Sequence, residues 1–226
     1  MKKIVLINTV KPMYLRFENQ LRAALKKEEV KIYNILDSFF SMNPSELGYF
    51  SVENFNRLYL TLKSAELINP VCIPVACSTL SPYLDQLQPF ISVPLLQIDK
   101  SLGTEAIAKG DKIMVLASAP SAEKSTVDLI QKTAERAGRN VSINSVHDLS
   151  AFKGMQSGDM ETHDSEMLKT AEKIKDADVI VFAQGSMEHL SEKVEKITGI
   201  PVITAPRLLV EDVKAVVEGA SQPGSE

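Results

Sequence analysis

Short apolar runs alternate with amphipathic stretches along the whole chain. Apolar runs of about four to eight residues bounded by turn signals are typical of buried strands in a parallel sheet. Residues 3–8, with the sequence KIVLIN, form such a run, and the stretch that follows places Phe17, Leu21, Ala24 and Leu25 on one helical face. The pattern therefore predicts a strand followed by an amphipathic helix at the start of the chain.

Further apolar runs predict a second strand from Val30 to Ile35, a third that ends at Cys77, and a fourth from Val93 to Ile98. A helix is predicted from about residue 52 to residue 67. The segment from Asp37 to Ser51 is predicted to be a loop. It carries five large apolar side chains, which either cover a cleft or pack the loop onto the first lobe as a satellite cluster: Phe39, Phe40, Met42, Tyr49 and Phe50.

The second half of the chain repeats the pattern of the first. Apolar runs at residues 112–117, 141–144, 178–186 and 200–203 correspond in order to the four predicted strands of the first half. Strands that alternate with helices give parallel sheets covered by helices. The sequence therefore predicts an α/β fold of two pseudo-symmetric lobes, each a parallel sheet flanked by helices, with the active site in the cleft between them.

The predicted domain boundaries follow from this repeat. Residues 1–98 and a C-terminal helix over about 206–218 form the first lobe, and residues 99–205 form the second. Residues 219–226 are polar and rich in Gly, Pro and Ser, which predicts a disordered tail.

Composition and charge narrow the classes of function. The chain has 226 residues, 44% of them hydrophobic, and a net charge of −4, with no basic stripe for a nucleic-acid partner. No apolar run approaches the roughly 20 residues that cross a bilayer, so we expect no membrane partner and a cytoplasmic protein. Cys72 and Cys77 are too far apart on an extended strand for a disulfide, and we expect two free thiols. A homo-oligomer is compatible with these properties.

Cys77 is the leading candidate for chemistry because it lies where an apolar strand stops. Open α/β sheets bind ligands just beyond the carboxyl ends of their strands, so we expect Cys77 to be exposed there. The alternative is a small buried hydrophobe, as free cysteines usually are. With no His or Cys at ligand spacing, no metal site is predicted.

Polar residues follow the first and third predicted strands of both halves. Their hydroxyl and amide groups suit a carboxylate ligand, although each hydroxyl could instead cap the next helix. The candidate binding residues are Asn8, Thr9, Ser78, Thr79, Ser118, Ser121, Gln184, Gly185 and Ser186.

These motifs resemble the aspartate/glutamate/hydantoin racemase superfamily. The segment at residues 76–79, ACST, resembles the motif that carries the first catalytic cysteine, and residues 182–186, FAQGS, fall where the second is carried. Residues 117–121, ASAPS, resemble the turn that binds the substrate carboxylate. The match is closest to a subgroup with Cys-Ser at the first position and Ala-Gln-x-Ser-Met at the second. The resemblance implies two α/β lobes and catalysis without a cofactor or metal.

Two departures from the family pattern restrict the chemistry. Gly185 stands where the second cysteine is expected, and Asn8 stands where glutamate racemases have an aspartate that assists the first cysteine. Asn8 can orient a neighbour but cannot take a proton. The sequence therefore predicts an isomerase of the racemase superfamily that acts on a small carboxylic acid through Cys77, by one-sided proton transfer or thiolate addition.

Two other functions remain open on the sequence: a lyase like the arylmalonate decarboxylases, and a non-catalytic carboxylate-binding protein. His163, followed by Asp164 as in the subgroup, is a candidate acid/base that could replace the missing cysteine. Alternatively, His163 lies at the surface where a helix begins, with Thr162 or Asp164 as its cap. We expect His189 at the surface.

Overall fold

The computed structural model describes residues 1–26 and 28–219, and the predicted tail of residues 219–226 lies outside them apart from Gly219. The described strands are β1 (Lys2–Asn8), β2 (Val30–Leu36), β3 (Ile73–Val75), β4 (Leu95–Gln97), β5 (Lys112–Ala117), β6 (Ser142–His147), β7 (Val179–Phe182) and β8 (Val202–Thr204). The described α-helices are α1 (Lys11–Ala24), α2 (Phe39–Leu47), α3 (Val52–Glu66), α4 (Ser81–Leu87), α5 (Lys100–Lys109), α6 (Pro120–Arg136), α7 (Leu149–Ser157), α8 (Met160–Ala171), α9 (Ser191–Thr198) and α10 (Ala205–Gly219).

The strands form two parallel sheets with the same internal order. The first sheet has the order β2-β1-β3-β4, and the second has the order β6-β5-β7-β8. In each sheet the chain places its first and third strands at the centre. The predicted α/β class, with two parallel sheets flanked by helices, is confirmed.

The described chain divides into two compact units. The first unit comprises Met1–Lys100 together with the chain from Leu208, and the second comprises Ser101–Arg207. The C-terminal helix α10 therefore belongs almost entirely to the first unit, where Leu209, Val213 and Val217 are fully buried.

In the first unit, one face of the sheet holds the larger apolar cluster. Val5, Ile7 and Val75 pack there against side chains of α2, α3 and α4. Strand residues alternate between faces, so Ile4 and Leu6, also fully buried, lie on the opposite face, which α1 helps to cover. Burial on both faces explains why the strands of this sheet read as continuous apolar runs.

Strand β3 is shorter than the predicted strand that ends at Cys77. Pro70 and Pro74 have no backbone N–H to donate to a ladder. Cys72 therefore makes only an isolated bridge to Ile4, and regular pairing is restricted to residues 73–75.

The prediction of a loop from Asp37 to Ser51 is wrong, because this segment contains helix α2. Phe40 is fully buried in the apolar cluster of the first unit, and Phe50 stacks on Tyr83 with 4.0 Å between the ring centroids. Phe39, Met42 and Tyr49 are exposed. Helical spacing within α2 thus places Phe40 in the core and leaves Phe39 and Met42 exposed, whereas Tyr49 and Phe50 follow the end of the helix.

In the second unit, an apolar cluster covers one face of the sheet. Leu116, Ile180, Phe182 and Val202 pack there with buried side chains that include Met167 and Leu190. Among residues 1–26 and 28–219, no helix is long and apolar enough to span a membrane.

Candidate functional site

Cys77 lies two residues beyond the end of β3, at the carboxyl edge of the first sheet. The prediction that its thiol is exposed is wrong: Cys77 is 7% exposed and belongs to the apolar cluster of the first unit. The Leu80 N–H donates to the Cys77 carbonyl over 3.1 Å, and this turn directs both side chains into the core. The thiol therefore lies in an apolar surrounding, with little contact with solvent.

Asn8 ends β1 beside the segment that carries Cys77. Ile7 pairs with Val75, and the Ala76 N–H donates to the Ile7 carbonyl over 2.9 Å, so Asn8 lies in register with Ala76. Asn8 is fully buried and donates from Nδ2 to Asn34 Oδ1 over 3.1 Å. Its Oδ1 has no hydrogen-bond partner within the described part of the chain.

The other polar residues at this edge differ in exposure. Thr9 is buried, and its carbonyl accepts a hydrogen bond from Ser41 Oγ over 3.1 Å, which fastens α2 to the turn after β1. Ser78 and Thr79 are exposed. The alternative role of these two hydroxyls as helix caps is wrong, because Leu80 is the N-cap of α4 and makes no side-chain cap.

In the second unit, Gln184 joins the ends of the two central strands. Its Oε1 accepts hydrogen bonds from Ser118 N at 2.8 Å, Ser118 Oγ at 3.2 Å and Ala119 N at 3.3 Å. Ser118 is fully buried, and both its N–H and its hydroxyl are used in this way. With the amide oxygen held by three donors, the two N–H groups of Gln184 are the donors at this position that suit a carboxylate.

The remaining predicted binding residues of the second unit lie in two turns. Ser121 is exposed in the first turn of α6, where Pro120 is the first helical residue and Ala119 is the N-cap. Gly185 and Ser186 are half-buried at the start of a 3-10 turn over Gly185–Leu190. Ser186 does not cap that turn, whose N-cap is Gln184, and its hydroxyl instead donates to Met155 Sδ over 3.8 Å.

His163 does not lie at the surface, and Asp159 rather than Thr162 or Asp164 caps α8. The His163 ring is 0% exposed, and its Nδ1 lies 2.8 Å from Asp164 Oδ1. The other oxygen of Asp164 lies 2.8 Å from His189 Nε2. Nε2 of His163 has no hydrogen-bond partner among the described residues.

Asp164 carries the charge of this His-Asp-His chain. Burial acts to raise the pKa of its carboxyl, but hydrogen bonds from His163 and His189 outweigh burial and hold the pKa below its ordinary value. A carboxylate that accepts from Nδ1 of His163 fixes the imidazole with its lone pair on Nε2. The chain therefore presents a buried nitrogen that can accept a proton.

Cys72 provides a contrast with Cys77. It lies fully buried beside β1, and burial raises the pKa of its thiol to about 12. Both cysteines are free. Among the described residues, no group of three or more His, Cys, Asp or Glu side chains is arranged to hold a metal ion.

Sequence reasoning missed three side chains that contact the predicted site residues. Asn34 and His189 bond to Asn8 and to Asp164, and Met155 lies against Ser186. The partner of each is 26, 25 or 31 residues away in the sequence. Only the packing of helices and strands brings such residues together, so no local motif reveals them.

Solved structures with the same fold include racemases and a racemase homologue. The aspartate racemase of Picrophilus torridus superposes with a TM-score of 0.71 at 16% identity, over 99% of this chain and 96% of that one. An aspartate racemase homologue from Pyrococcus horikoshii OT3 superposes with a TM-score of 0.69 at 18% identity, over 98% of this chain and 100% of that one. Allantoin racemase from Pseudomonas fluorescens superposes with a TM-score of 0.63 at 18% identity, over 96% of this chain and 92% of that one.

No curated protein sequence matches the chain. The family model described as Asp/Glu/Hydantoin racemase matches residues 4–213, which include both sheets except the first two residues of β1, and every candidate site residue. The chain therefore belongs to the Asp/Glu/hydantoin racemase family.

Proposed function

We propose that the protein transfers a proton at the α-carbon of a small carboxylic acid, without a cofactor, with Cys77 as the acid/base. The observation that carries this proposal is the location of a free, largely buried thiol at the carboxyl edge of the first sheet, in a chain of a racemase family. In this step a base removes the α-proton, and the electron pair of the C–H bond moves into the substrate carboxylate as an enediolate. The same carbon is then reprotonated.

Hydrogen-bond donors that hold the carboxylate would stabilise the enediolate charge, which is usually the largest contribution to such catalysis. We assign this role to the hydroxyls of Thr9, Ser78 and Thr79, which lie in the unit that carries Cys77. In the second unit, the N–H groups of Gln184 and the hydroxyls of Ser121 and Ser186 are further candidate donors to a carboxylate. Gly185 carries no group that moves a proton, so Cys77 alone supports exchange on one face of the substrate.

A second candidate is full racemisation with His163 as the other acid/base. Three observations favour this candidate: His163 is buried, it bonds to Asp164, and its Nε2 has no partner in the part of the chain that the structure describes. One-sided exchange and racemisation differ only in whether the carbon is reprotonated on the face from which the proton was lost.

Incubation in deuterated water separates these functions. Each enantiomer of aspartate, glutamate and simple 2-methyl and 2-aryl diacids is followed for α-proton exchange and for chirality. Exchange with retention that disappears in Cys77→Ala and persists in His163→Gln supports the one-sided enzyme. Racemisation at the rate of exchange that is lost in His163→Gln supports the two-base enzyme. Cys72→Ala is the matched control and should retain the activity.

The same samples test the other chemistries. Release of carbon dioxide from a 2-aryl malonate would identify a lyase, and conversion of maleate to fumarate would identify thiolate addition to a double bond. If none of these acids reacts but calorimetry detects their binding, the protein is a carboxylate-binding protein and the proposed catalysis is wrong.

A further inference from the structure

The Asn8 side-chain oxygen, which has no hydrogen-bond partner among residues 1–26 and 28–219, ends a chain of polar side chains in the first unit. Asn8 Nδ2 donates to Asn34 Oδ1 over 3.1 Å, and Asn34 Nδ2 donates to Glu18 Oε2. The other oxygen of Glu18 accepts from Arg22 Nε over 2.8 Å. The chain thus runs from an exposed ion pair on α1, through β2, to the fully buried end of β1.

The charge of Glu18 determines the orientation of both amides. A carboxylate only accepts hydrogen bonds, so Asn34 must turn its NH₂ group towards Glu18. The oxygen of Asn34 then faces Asn8, which must present its own NH₂ group in return. The Asn8 oxygen is therefore the free end, and rotation of either amide would place two acceptors or two donors against each other.

A buried acceptor without a donor is destabilising, and such groups in native proteins call for an explanation. Asn8 is the last residue of a central strand, in register with Ala76 and next to the turn that carries Cys77. Ligands of open α/β sheets bind at this edge. A substrate that carries an N–H donor would supply the missing hydrogen bond.

We propose that Glu18 and Asn34 are positioning residues that hold the Asn8 amide with its oxygen free to accept a hydrogen bond from an amino group of the substrate. The proposal rests on the proposed function, because it assigns Asn8 to the substrate site. It also narrows the substrate class: acids with an amino group on the α-carbon are favoured over acids of the same shape that carry a methyl group there.

The test compares ligands that differ only in this donor. Aspartate and glutamate are paired with 2-methylsuccinate and 2-methylglutarate, and their dissociation constants are measured by calorimetry on the full-length protein. A site built to bond an N–H group discriminates strongly against an analogue that lacks it. We expect the wild-type protein to bind the amino acids at least about 10-fold more tightly than their methyl analogues.

The variants change the orientation of the Asn8 amide without substituting Asn8 itself. In Glu18→Gln, the new amide can donate or accept, so Asn34 and Asn8 can rotate, and the preference should fall to about 3-fold or less. In the double variant Glu18→Gln/Asn34→Asp, the new carboxylate accepts from both neighbours. The Asn8 oxygen is then free again, and the preference should return.

Arg22→Gln is the matched control. It removes the ion pair of Glu18 but leaves the amide chain intact, so the preference should stay unchanged. If the preference instead reflected only the charge near the site, Arg22→Gln would increase it. Chemical shifts of the Asn8 side-chain amide give a second measurement, and in the wild-type protein aspartate should perturb them more than 2-methylsuccinate does.

Two results would overturn the inference: equal affinity of the wild-type protein for amino and methyl ligands, or an unchanged preference in a folded Glu18→Gln variant. If Glu18→Gln folds poorly, the inference is decided by the affinities of the wild-type protein and by the chemical shifts of the Asn8 side-chain amide. Because these measurements record binding, the preference can hold even if no acid exchanges its α-proton. That result would contradict the proposed function alone.

Discussion

The two units share a strand order, but they end their central strands with different chemistry. In the first unit, the edge of the sheet carries the free thiol of Cys77 and the Asn8 oxygen, which has no partner among the described residues. In the second unit, Gln184 bonds to Ser118 and to Ala119 and so closes the equivalent edge with hydrogen bonds. The first unit therefore keeps a thiol and an amide oxygen free at the edge of its sheet. In the second unit, the polar groups at the equivalent edge mainly form hydrogen bonds with one another.

This difference predicts that substitutions in the two units produce different losses. Substitution of Cys77 at the edge of the first unit should reduce the rate of chemistry more than it reduces stability. Changes at the edge of the second unit should reduce stability first. His163 is the exception in the second unit, because its Nε2 has no partner in the described part of the protein.

The largest effect is expected for Cys77→Ala. Loss of an acid/base group typically costs about 10²–10⁴-fold in rate, and α-proton exchange should fall by that factor. The exchange rate measured by proton NMR checks this. Cys72→Ala is the matched thiol control and should retain exchange. If both variants keep the wild-type rate, the free thiol is not the acid/base and the contrast between the units is wrong.

Cys72 should resist alkylation in the native protein. With a pKa of about 12, Cys72 is ionised in roughly one molecule in 10⁴ at pH 8, and only the thiolate reacts. Cys72 should therefore react with iodoacetamide only after unfolding. Mass spectrometry of peptides from native and denatured samples measures this, and rapid native labelling of Cys72 would contradict its burial.

Gln184→Leu should give the next largest effect, and it should appear in stability. It removes the acceptor of three donors and leaves the buried Ser118 N–H unsatisfied, which costs about 1–3 kcal/mol. Urea unfolding measures the loss. Gln184→Glu retains an acceptor oxygen and should keep most of the stability, but its negative charge should weaken the binding of carboxylates. Equal loss of stability in the two variants would refute the role of the amide oxygen.

Asp164→Asn tests the His-Asp-His chain through its dependence on pH. Since folding lowers the pKa of Asp164, its carboxylate stabilises the folded state above its unfolded pKa of about 4. That stability is lost as the pH falls through the lower, folded pKa. The variant should be less stable at pH 7 by roughly 1 kcal/mol, and its stability should fall less steeply below pH 4. Parallel profiles for the two proteins would contradict this.

The fold was accessible from the sequence because the second sheet repeats the apolar runs of the first. The helix within the segment from Asp37 to Ser51 was not accessible in this way. Pro44 and Gly48 are typical of a loop, whereas the helix is held by Phe40, which is buried in the core. Strand β3 was predicted too long for a related reason, because Pro70 and Pro74 have no backbone N–H to donate. An apolar run predicts that a segment is buried, but it does not predict how many of its backbone N–H groups pair with a neighbouring strand.

The candidate site was predictable in its residues but not in their contacts. Strand ends and turn residues identify Cys77, Asn8 and Ser118 as candidates. The burial of Cys77 arises from the turn that ends at Leu80, and the exposure of that thiol was therefore predicted incorrectly. The bonds from Asn34 to Asn8 and from His189 to Asp164 depend on packing between elements that no local pattern records.

The smallest effects should come from single hydroxyls at the two edges. Ser78 is exposed and has no side-chain hydrogen bond among the described residues, so Ser78→Ala should change stability by less than about 0.5 kcal/mol. Ser118 is fully buried and donates its hydroxyl to Gln184, so Ser118→Ala should cost about 1 kcal/mol. Urea unfolding of the two variants compares them directly. If Ser78→Ala also weakens carboxylate binding, the hydroxyl that does not stabilise the fold is the one available to a substrate. Equal stability losses at the two serines would instead mean that both edges are closed by hydrogen bonds.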